Sequence, residues 1–193
     1  MVETLSKFGV PINGARNGML MPKIRHRFRV RVINFGPIAG GLELTQQVMT
    51  VDRPQVQFNP VEVHSYNSRM YYAEKPNWQS INLQVRDDIT NSVSRLVGHQ
   101  LQKQMNFFEQ TSAAAGINYK FSTLIELLDG GNEATFEQWT LEGCFLESVN
   151  YEQLDYQSSD PVTIQMQIRY DNATLADGLF EPTPQFSGGV GIG

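Results

Sequence analysis

The sequence predicts a mainly β protein, a β-barrel or sandwich with one flanking α-helix. Apolar and polar residues alternate over two segments, Val61 to Asp88 and Trp139 to Tyr170, as they do in antiparallel strands with one buried face. Between them, one segment has apolar residues at steps of three and four, which is typical of an amphipathic helix. The chain has 193 residues, and single barrels or sandwiches of this length are common. We therefore expect one domain with a sizeable core.

The composition indicates a surface that is polar more than ionic. Hydrophobic residues make up 40% of the chain and charged residues 18%, with a net charge of −5. Uncharged amides are buried at interfaces at lower desolvation cost than ions, so this surface favours a protein that packs against copies of itself. The negative charge argues against tight nucleic-acid binding, which depends on Lys and Arg. No segment has the about 20 apolar residues of a membrane span, so we expect no membrane binding by the subunit.

The first elements are an arm and a hairpin. Residues 1–22 mix Gly, Pro and Asn with scattered apolar side chains, so we expect an N-terminal arm that orders by packing on a neighbour. The alternation from Arg25 to Val32 predicts a strand. Its arginines lie opposite Phe28 and Val30, and they are expected to form a face that is solvated or salt-linked to a neighbouring subunit. Leu42 to Val51 is expected to be the second arm of a hairpin with this strand.

Two prolines mark the next segment as irregular. Pro54 and Pro60 lack the N–H group that a central strand donates to its neighbour. Val61 to Tyr72 is therefore expected to be a protruding hairpin or loop. Trp78 to Arg86 alternates regularly and predicts a strand. Its inward-facing residues are Ile81, Leu83 and Val85.

A single long helix is predicted over residues 89–110. About 20 residues would make a helix roughly 30 Å long at 1.5 Å per residue, and its one apolar stripe should lie across a sheet. Asp87, Asp88 and Thr90 at its start are expected to accept hydrogen bonds from the free N–H groups of the first turn. The stripe consists of Val93, Leu96, Val97, Leu101, Met105 and Phe108.

Three further strands are predicted in the second half of the chain. Tyr119 to Leu128 alternates, and Asp129 to Asn132 is a strong hairpin-turn sequence. Phe136 to Val149 predicts the next strand. The strand after it is apolar on one face and polar on the other, and residues 176–193 are expected to be a flexible tail rich in Gly and Pro. The inward-facing residues of the last two strands are Trp139, Leu141, Gly143 and Phe145, then Val162, Ile164, Met166, Ile168 and Tyr170.

No set of residues indicates catalysis, a cofactor or a metal site. His26, His64 and His99 lie far apart and have no ligand partner at a recognised spacing. Cys144 has no His nearby, so it is interpreted as a buried thiol. The adjacent Asp87 and Asp88 are explained by their place before the helix. We therefore expect a protein that is not an enzyme.

The order of the elements resembles that of the tail tube proteins of contractile-tailed bacteriophages. The segment YNSRMYYAEKPNWQSINLQVRDD is similar to the family's loop rich in Asn and Arg, its Trp-containing strand and its helix start. The segment WTLEGCFLESVNYEQLDYQSSDPVTIQMQIRYD is similar to the family's final strand–turn–strand unit. The order of the intervening elements extends the resemblance over residues 25–171. The longer N-terminal segment and the Gly-rich tail depart from the family pattern.

The resemblance implies a tail-tube domain over residues 23–175, related in shape to type VI secretion tube subunits. Strands of six subunits would join into one large ring barrel around a channel. Stacked rings would form the inner tail tube of the virion, the conduit for genome delivery inside a contractile sheath. The implied partners are other copies of the chain, the sheath, the baseplate and tail terminator proteins, and the tape measure protein and DNA transiently in the lumen. Assembly would take place in the host cytoplasm.

The resemblance also gives each polar face a candidate role. The tip of the segment between Pro54 and Pro76 would contact neighbouring subunits or rings, because Tyr and Arg are enriched at interface centres. Its candidate residues are Tyr66, Arg69, Tyr71 and Tyr72. The candidates for lumen-facing groups are Gln138, Thr140, Glu142, Thr163, Gln165, Gln167 and Arg169.

Two alternatives remain open at the level of sequence. Within the same class, the chain is a baseplate protein that initiates the tube, or a secretion-system tube subunit. In another class, a solitary lipocalin-like barrel would bind a small apolar ligand in its interior, with the helix packed outside. The amide-rich strand faces favour a wet surface or channel over that barrel.

Overall fold

A computed structural model describes residues 23–37, 46–128 and 135–176, together with the backbone of residues 41–43. The expected N-terminal arm, the turn from Asp129 to Asn132 and all but the first residue of the expected tail lie outside the described residues. The first strands are β1 (Phe28–Ile33), β2 (Gly41–Glu43), β3 (Val48–Val51), β4 (Val56–Ser65), β5 (Ser68–Trp78) and β6 (Ile81–Arg86). Helix α1 (Ser92–Gln104) is followed by β7 (Met105–Asn106), β8 (Thr111–Ser112), β9 (Phe121–Leu128), β10 (Thr135–Tyr151), β11 (Thr163–Arg169) and β12 (Asn172–Ala176).

One large antiparallel sheet forms the body of the protein. Its strand order is β2-β1-β9-β10-β11-β6-β3, and β12 also pairs with β10. Strands β11 and β12 follow each other along the same side of β10, because β11 pairs with residues 145–151 and β12 with residues 138–142. Strands β4 and β5 form a separate two-stranded sheet, as do β7 and β8.

The core lies on one face of the large sheet, under α1. Alternation places every second side chain of β1, β6, β9 and β11 on this face, where an apolar side chain is removed from water. Helix α1 adds Val93 and Val97 from its inner side. The mainly β fold with one flanking helix is therefore confirmed. The largest fully buried apolar side chains of the sheet are Phe121, Ile81, Leu83, Ile125, Leu141, Ile164, Met166 and Ile168.

The inward face of β10 was predicted correctly only up to Leu141. The pairing with β9 shifts between Leu141 and Cys144, where Gly143 has a φ of +67°. Because one extra residue moves every later side chain to the opposite face, Cys144 and Leu146 are buried. The predictions that Gly143 and Phe145 face inward were wrong for this reason. Phe145 is instead half-buried on the outer face, where it is paired with Arg169 of β11.

Two predicted elements in the first half have different bounds. The segment from Leu42 to Val51 does not form one hairpin arm, since β2 pairs with β1 whereas β3 pairs with β6 at the far edge of the sheet. Strand β1 begins at Phe28, so His26 precedes it.

Helix α1 ends at Gln104, so the expected span to residue 110 was wrong. Met105 has extended backbone angles and begins the small β7–β8 hairpin. The Asn106 side chain accepts hydrogen bonds from the N–H groups of Phe108 and Glu109, at 3.1 and 3.3 Å, and this stabilises a turn in place of further helix. Phe108 is exposed as a result.

We predict that replacing Gly143 with alanine destabilises the protein. A non-glycine residue at this positive φ is strained, and an added Cβ would also collide with the carboxylate of Asp171, which Lys120 holds at 2.5 Å. The free energy of unfolding should fall by about 1–3 kcal/mol, measured by urea denaturation.

Gly98→Ala is the matched control for this substitution. Gly98 lies in α1 with open space around its Cβ position, so alanine there should raise the free energy of unfolding by about 0.5–1 kcal/mol. If both variants lost the same free energy of unfolding, the loss in Gly143→Ala could not be attributed to the bulge.

Candidate functional site

The first part of the candidate site is the outer face of β10. Gln138, Thr140 and Glu142 point away from the core, opposite the buried Leu141. Strand β12 places Thr174 beside Thr140 and Asn172 beside Glu142. Glu142 is exposed, whereas Gln138 and Thr140 are half-buried. This part of the face therefore presents hydroxyl and amide groups with one carboxylate.

The arginines of β1 belong to the same outer face and are held by the subunit's own carboxylate. Glu126 of β9 is buried, and it lies 2.6 Å from Arg29 Nε and 3.3 Å from Arg31 Nη2. These arginines are therefore salt-linked within one subunit, whereas the sequence predicted a solvated face or salt links between subunits.

The second part of the candidate site is the outer face of β11. Gln165 is exposed, and Gln167 and Arg169 are half-buried. Ser148 donates a hydrogen bond to Gln167 Oε1 at 3.1 Å, and Arg169 donates one to Asn77 Oδ1 at 3.3 Å. These contacts hold the side chains along the sheet surface.

Thr163 differs from the other candidates because it is buried. Its hydroxyl accepts a hydrogen bond from Gln84 Nε2 at 3.1 Å, so it supports Gln84 and is not itself accessible. Gln84 lies opposite Gln165 in the pairing of β6 with β11.

The strand register extends the β11 face into a continuous polar surface. Gln165 lies between Gln84 of β6 and Asn150 of β10, and Gln167 lies between Asn82 and Ser148. Sequence reasoning missed the β6 residues as members of this surface, although their alternation in the strand was correctly predicted. Among the seven lumen candidates only Glu142 and Arg169 are ionic, and they have opposite charges. The surface can form many neutral hydrogen bonds without attracting one sign of charge.

The β4–β5 hairpin is the second candidate surface. It pairs only with itself within the described residues, and nearly all of its side chains are exposed on both faces. An isolated two-stranded hairpin is marginally stable in water. The expected protruding hairpin is present, and Pro60 lies at a shift in its register.

The register divides the hairpin tip into an apolar and a polar face. Val61 lies opposite Tyr72, and Val63 lies opposite Met70. Met70 is 58% exposed and Tyr72 is 52% exposed. The four side chains Val61, Val63, Met70 and Tyr72 thus form one apolar face, with Val61 half-buried and the other three exposed, which we name the apolar hairpin face.

The opposite face of the hairpin carries a small polar network. Glu62 lies 3.2 Å from Arg69 Nε, and it accepts a hydrogen bond of 3.4 Å from the Tyr71 hydroxyl. Tyr66 is fully exposed at the turn. The four interface candidates are therefore divided, with Tyr72 on the apolar face, Arg69 and Tyr71 on the polar face, and Tyr66 at the tip.

A buried carboxylate fixes the base of the hairpin. Glu137 of β10 contacts Arg53, which immediately precedes the hairpin segment, and accepts hydrogen bonds from Lys23 Nζ at 2.6 Å and Trp139 Nε1 at 2.7 Å. Burial by itself would raise the pKa of Glu137. The hydrogen bonds from Lys23 and Trp139 and the charge of Arg53 outweigh this effect, and the pKa lies below its ordinary value of 4.5.

The three candidate caps lie together at the start of α1. The Ser92 N–H donates to Asp88 Oδ1 at 3.0 Å, and the Ser94 N–H lies 3.4 Å from Asp87 Oδ1. Thr90 does not accept from the backbone but donates its hydroxyl to Asp88 at 2.7 Å. The hydrogen bonds from the Ser92 N–H and from the Thr90 and Ser92 hydroxyls lower the pKa of Asp88 to about 2.

Two helix glutamines are structural groups that sequence reasoning missed. Gln100 is buried, accepts a hydrogen bond from the Gly36 N–H at 3.0 Å and donates one to the Tyr119 carbonyl at 2.6 Å. Gln104 binds both the N–H and the carbonyl of Leu146, at 2.9 and 3.0 Å. They stand four residues apart on the inner side of α1, which is the signal that could have identified them.

The described residues contain no group of His, Cys, Asp and Glu that could hold a metal ion. Cys144 is buried, and burial raises the pKa of its thiol to about 11, so it is a poor nucleophile. Among the helices of the described part of the chain, none combines the length and apolar character that crossing a membrane requires.

Solved structures share this architecture at low sequence identity. A chain of the anti-feeding prophage baseplate aligns with a TM-score of 0.65 and 16% identity, over 84% of this chain and 100% of that chain. A chain of the PVC sheath-tube complex, an extracellular contractile injection system, aligns with a TM-score of 0.58 and 14% identity, over 91% and 99%. The SPP1 tail tube aligns with a TM-score of 0.52 and 8% identity, over 81% and 80%.

The chain has the tail-tube fold. The resemblance found in the sequence is thereby confirmed at the level of fold. No protein-family model matches the chain, and no curated protein matches it in sequence. Within the described residues, the outer polar face and the β4–β5 hairpin are two of the surfaces that packing within the subunit leaves exposed.

We predict that the Glu137 contacts make the protein sensitive to acid. Because the folded-state pKa of Glu137 is lowered, its contribution to stability is present above the ordinary pKa of 4.5 and is lost as the pH falls through the folded-state pKa. Glu137→Gln should lower the thermal midpoint at pH 7, and the difference from the original protein should shrink between pH 5 and the folded-state pKa.

Glu142→Gln provides the control, because Glu142 lies on the same strand and is exposed. Its effect on the thermal midpoint should be small at every pH. A Glu137→Gln difference that stays constant from pH 7 to pH 3 would refute the proposed linkage.

Proposed function

We propose that this chain is the structural subunit of a tube, in which rings of six copies stack to form the inner tube of a contractile tail. The observation that carries the proposal is the β4–β5 hairpin, with its uncovered apolar face on a domain that has the tail-tube fold. A hairpin of this length with little support from its own domain gains stability when another molecule covers it. Six is the number that the family resemblance implies.

The open edges of the large sheet support ring formation. Strands β2 and β3 occupy the two ends of the strand order, so each has an edge without a partner in the described residues. Unpaired edges are exposed templates for another strand. Contact between the β2 edge of one copy and the β3 edge of the next is a head-to-tail contact, which closes into a ring if the rotation is suitable.

The outer polar face is proposed to line the channel of the tube. In this arrangement the lumen would present Gln138 and Thr140 of β10 and Gln165 and Gln167 of β11, with Glu142 and Arg169 between these two pairs. Thr163 would lie behind this surface, since its hydroxyl is buried. A wall of neutral amides and hydroxyls would allow a charged polymer to slide without strong binding.

The proposed partners follow from the proposed tube. They are other copies of the chain, the sheath, the baseplate and terminator proteins, and transiently the tape measure protein and DNA. Structures with similar folds include chains of a sheath-tube complex, a sheath/tube terminator, a tube-terminating cap and a baseplate. We propose a location in the virion tail after assembly in the host cytoplasm, and a mechanical role without enzymatic activity.

A second candidate within this class is a baseplate protein that initiates the tube. The fold similarity with a TM-score of 0.65 to a chain of the anti-feeding prophage baseplate favours it. An initiator would form single rings alone, whereas a tube subunit would polymerise. The lipocalin-like alternative has less support, because the inward face of the sheet is filled by packed side chains such as Ile125, Leu141 and Met166.

We predict that the apolar hairpin face is required for tube formation. The purified protein should form rings or hollow tubes in negative-stain electron microscopy at high concentration. Met70→Lys places a charge on the apolar face and should abolish stacking, because an unpaired charge would be buried in the contact. Circular dichroism should remain unchanged, since Met70 lies outside the core.

Tyr71→Lys is the matched control on the adjacent residue. Tyr71 lies on the polar face beside Glu62, where a lysine can replace the lost hydrogen bond with an ion pair. Tubes should persist in this variant. Normal tubes from Met70→Lys, or uniform monomers of the original protein at all concentrations, would count against the proposal.

We predict that Gln165 faces the lumen. A Gln165→Cys variant can be labelled with a thiol-reactive gold cluster after assembly, or labelled first and co-assembled with unlabelled chains. The gold density should then lie on the inner wall of the tube. Ile117→Cys is the control for labelling of an exposed thiol, because Ile117 is exposed in the segment between β8 and β9. The buried Cys144 should not take up the label. Gold on the outer wall from Gln165→Cys would show that the opposite face lines the channel.

A further inference from the structure

Helix α1 carries a row of basic and aromatic side chains that the surfaces above do not use. Arg95, His99 and Lys103 are four residues apart and therefore stand on one side of the helix, and no residue of α1 is acidic. Phe107 and Phe108 continue the row beyond the helix end, and Phe108 is 96% exposed. We name these five residues the basic ridge.

One backbone contact places the aromatic turn on the same side as the basic residues. The Phe107 N–H donates to Gln102 Oε1 at 3.4 Å. Gln102 is exposed and lies next to Arg95 and His99 on the outer side of α1, opposite the buried Val93 and Val97. The ridge is therefore one surface that combines positive charge with exposed aromatic rings.

The loop between β10 and β11 has the complementary character. Residues 152–162 contain Glu152, Asp155 and Asp160 and no Lys or Arg. Leu154 and Tyr156 are exposed in the same loop. An open cavity of about 430 Å³ lies there, lined by these side chains together with Pro161 and Val162. We name residues 152–162 the acidic loop.

Within the part of the chain that the structure describes, the charged groups of both surfaces have no ion-pair partner of opposite charge. Across the described residues, the ion pairs join Lys23, Arg29, Arg31, Arg53, His64, Arg69 and Lys120 to carboxylates, and none joins the ridge or the acidic loop to a group of opposite charge. These two segments are therefore available for electrostatic complementarity with another molecule.

The aromatic turn of the ridge and the end of the acidic loop lie at opposite ends of α1. The Asp87 N–H donates to the Val162 carbonyl at 3.0 Å, which places the end of the acidic loop beside the start of the helix. Phe107 and Phe108 follow the last helical residue, roughly 20 Å away at 1.5 Å per residue. One copy therefore does not fill its own cavity with its own aromatic turn, and the contact requires a second copy.

We propose that the basic ridge of one copy docks on the acidic loop of the next copy, with Phe108 entering the cavity and the basic side chains facing the three carboxylates. The contact is head-to-tail, since two different patches of the chain meet, and such contacts generate rings or filaments. Aromatic side chains in a pocket, surrounded by charged groups, are a common form of interface centre. The inference rests on the proposed self-assembly, and it does not involve the β4–β5 hairpin.

A crosslinking experiment on the full chain tests this contact. Glu109→Cys and Gln157→Cys place thiols next to Phe108 and Tyr156 while leaving both aromatic residues intact. Because each copy then offers one thiol of each kind, a short bismaleimide should give a ladder of dimers, trimers and larger species on a denaturing gel. Each single-cysteine variant should give no ladder, and the buried Cys144 should not react.

Charge reversal in the same background tests the electrostatic part. Arg95→Glu with Lys103→Glu should reduce the ladder by about tenfold or more, because like charges would then face each other. Adding Asp155→Lys and Asp160→Lys should restore it. A ladder that is insensitive to these changes would overturn the proposed docking.

Electron microscopy of the same samples separates this inference from the proposed function. Tubes without a ladder would overturn the docking and leave the tube proposal standing. Binding of the ridge to a separate acidic protein would have the same two consequences. A ladder without rings or tubes would support the docking and contradict the tube. Absence of both would overturn both.

Discussion

The fold depends on the pairing of the long strand β10 on both of its sides. This strand spans 17 residues and binds β9 on one side and β12 and β11 in succession on the other. Just beyond the pairing of Cys144 with Phe121, the first residue of β9, Gln104 of the helix binds the backbone of Leu146. A buried backbone group without a partner is costly, so this single side chain protects the strand where its neighbour stops. The position of α1 is thereby tied to the sheet at the point where the bulges bend it.

The strength of that framework explains how the hairpin can project. The hairpin contributes little to the core, and its base is fixed by Glu137 through Arg53, with Lys23 bound to the same carboxylate. These contacts fix the base of the hairpin relative to the large sheet, while the apolar hairpin face remains largely exposed. Under the proposed assembly, Met70→Lys would affect contacts between molecules, whereas Gly143→Ala would affect the folded subunit. Stability and assembly would then depend on different residues.

The parts of the structure that the sequence predicted are those set by regular alternation. Ile81, Leu83 and Val85 point inward because period two leaves them no other face in a half-buried strand. The bulge of β10 between Leu141 and Cys144 was not predictable, since a one-residue slip leaves the local composition unchanged but exchanges the faces of Gly143, Cys144 and Phe145. The helix end was missed because the apolar period continues through Met105 and Phe108. The hairpin was located from its prolines, but the division of Tyr71 and Tyr72 between its faces required the register.

Arg86 and Arg169 lie at the outer polar face, and their hydrogen bonds affect how strongly this face could bind a charged polymer. Arg86 donates to the Gln46 carbonyl at 3.0 Å, and Arg169 donates to Asn77 Oδ1 at 3.3 Å. Part of the donor capacity of each guanidinium is therefore used by the protein itself, and phosphate contacts would have to compete with these bonds. Between them, Gln84, Gln165 and Gln167 offer neutral amides whose contacts with a moving ligand exchange readily with water. The same face that gives weak binding can thus give low friction, which is the physical requirement for a channel through which a polymer must pass completely.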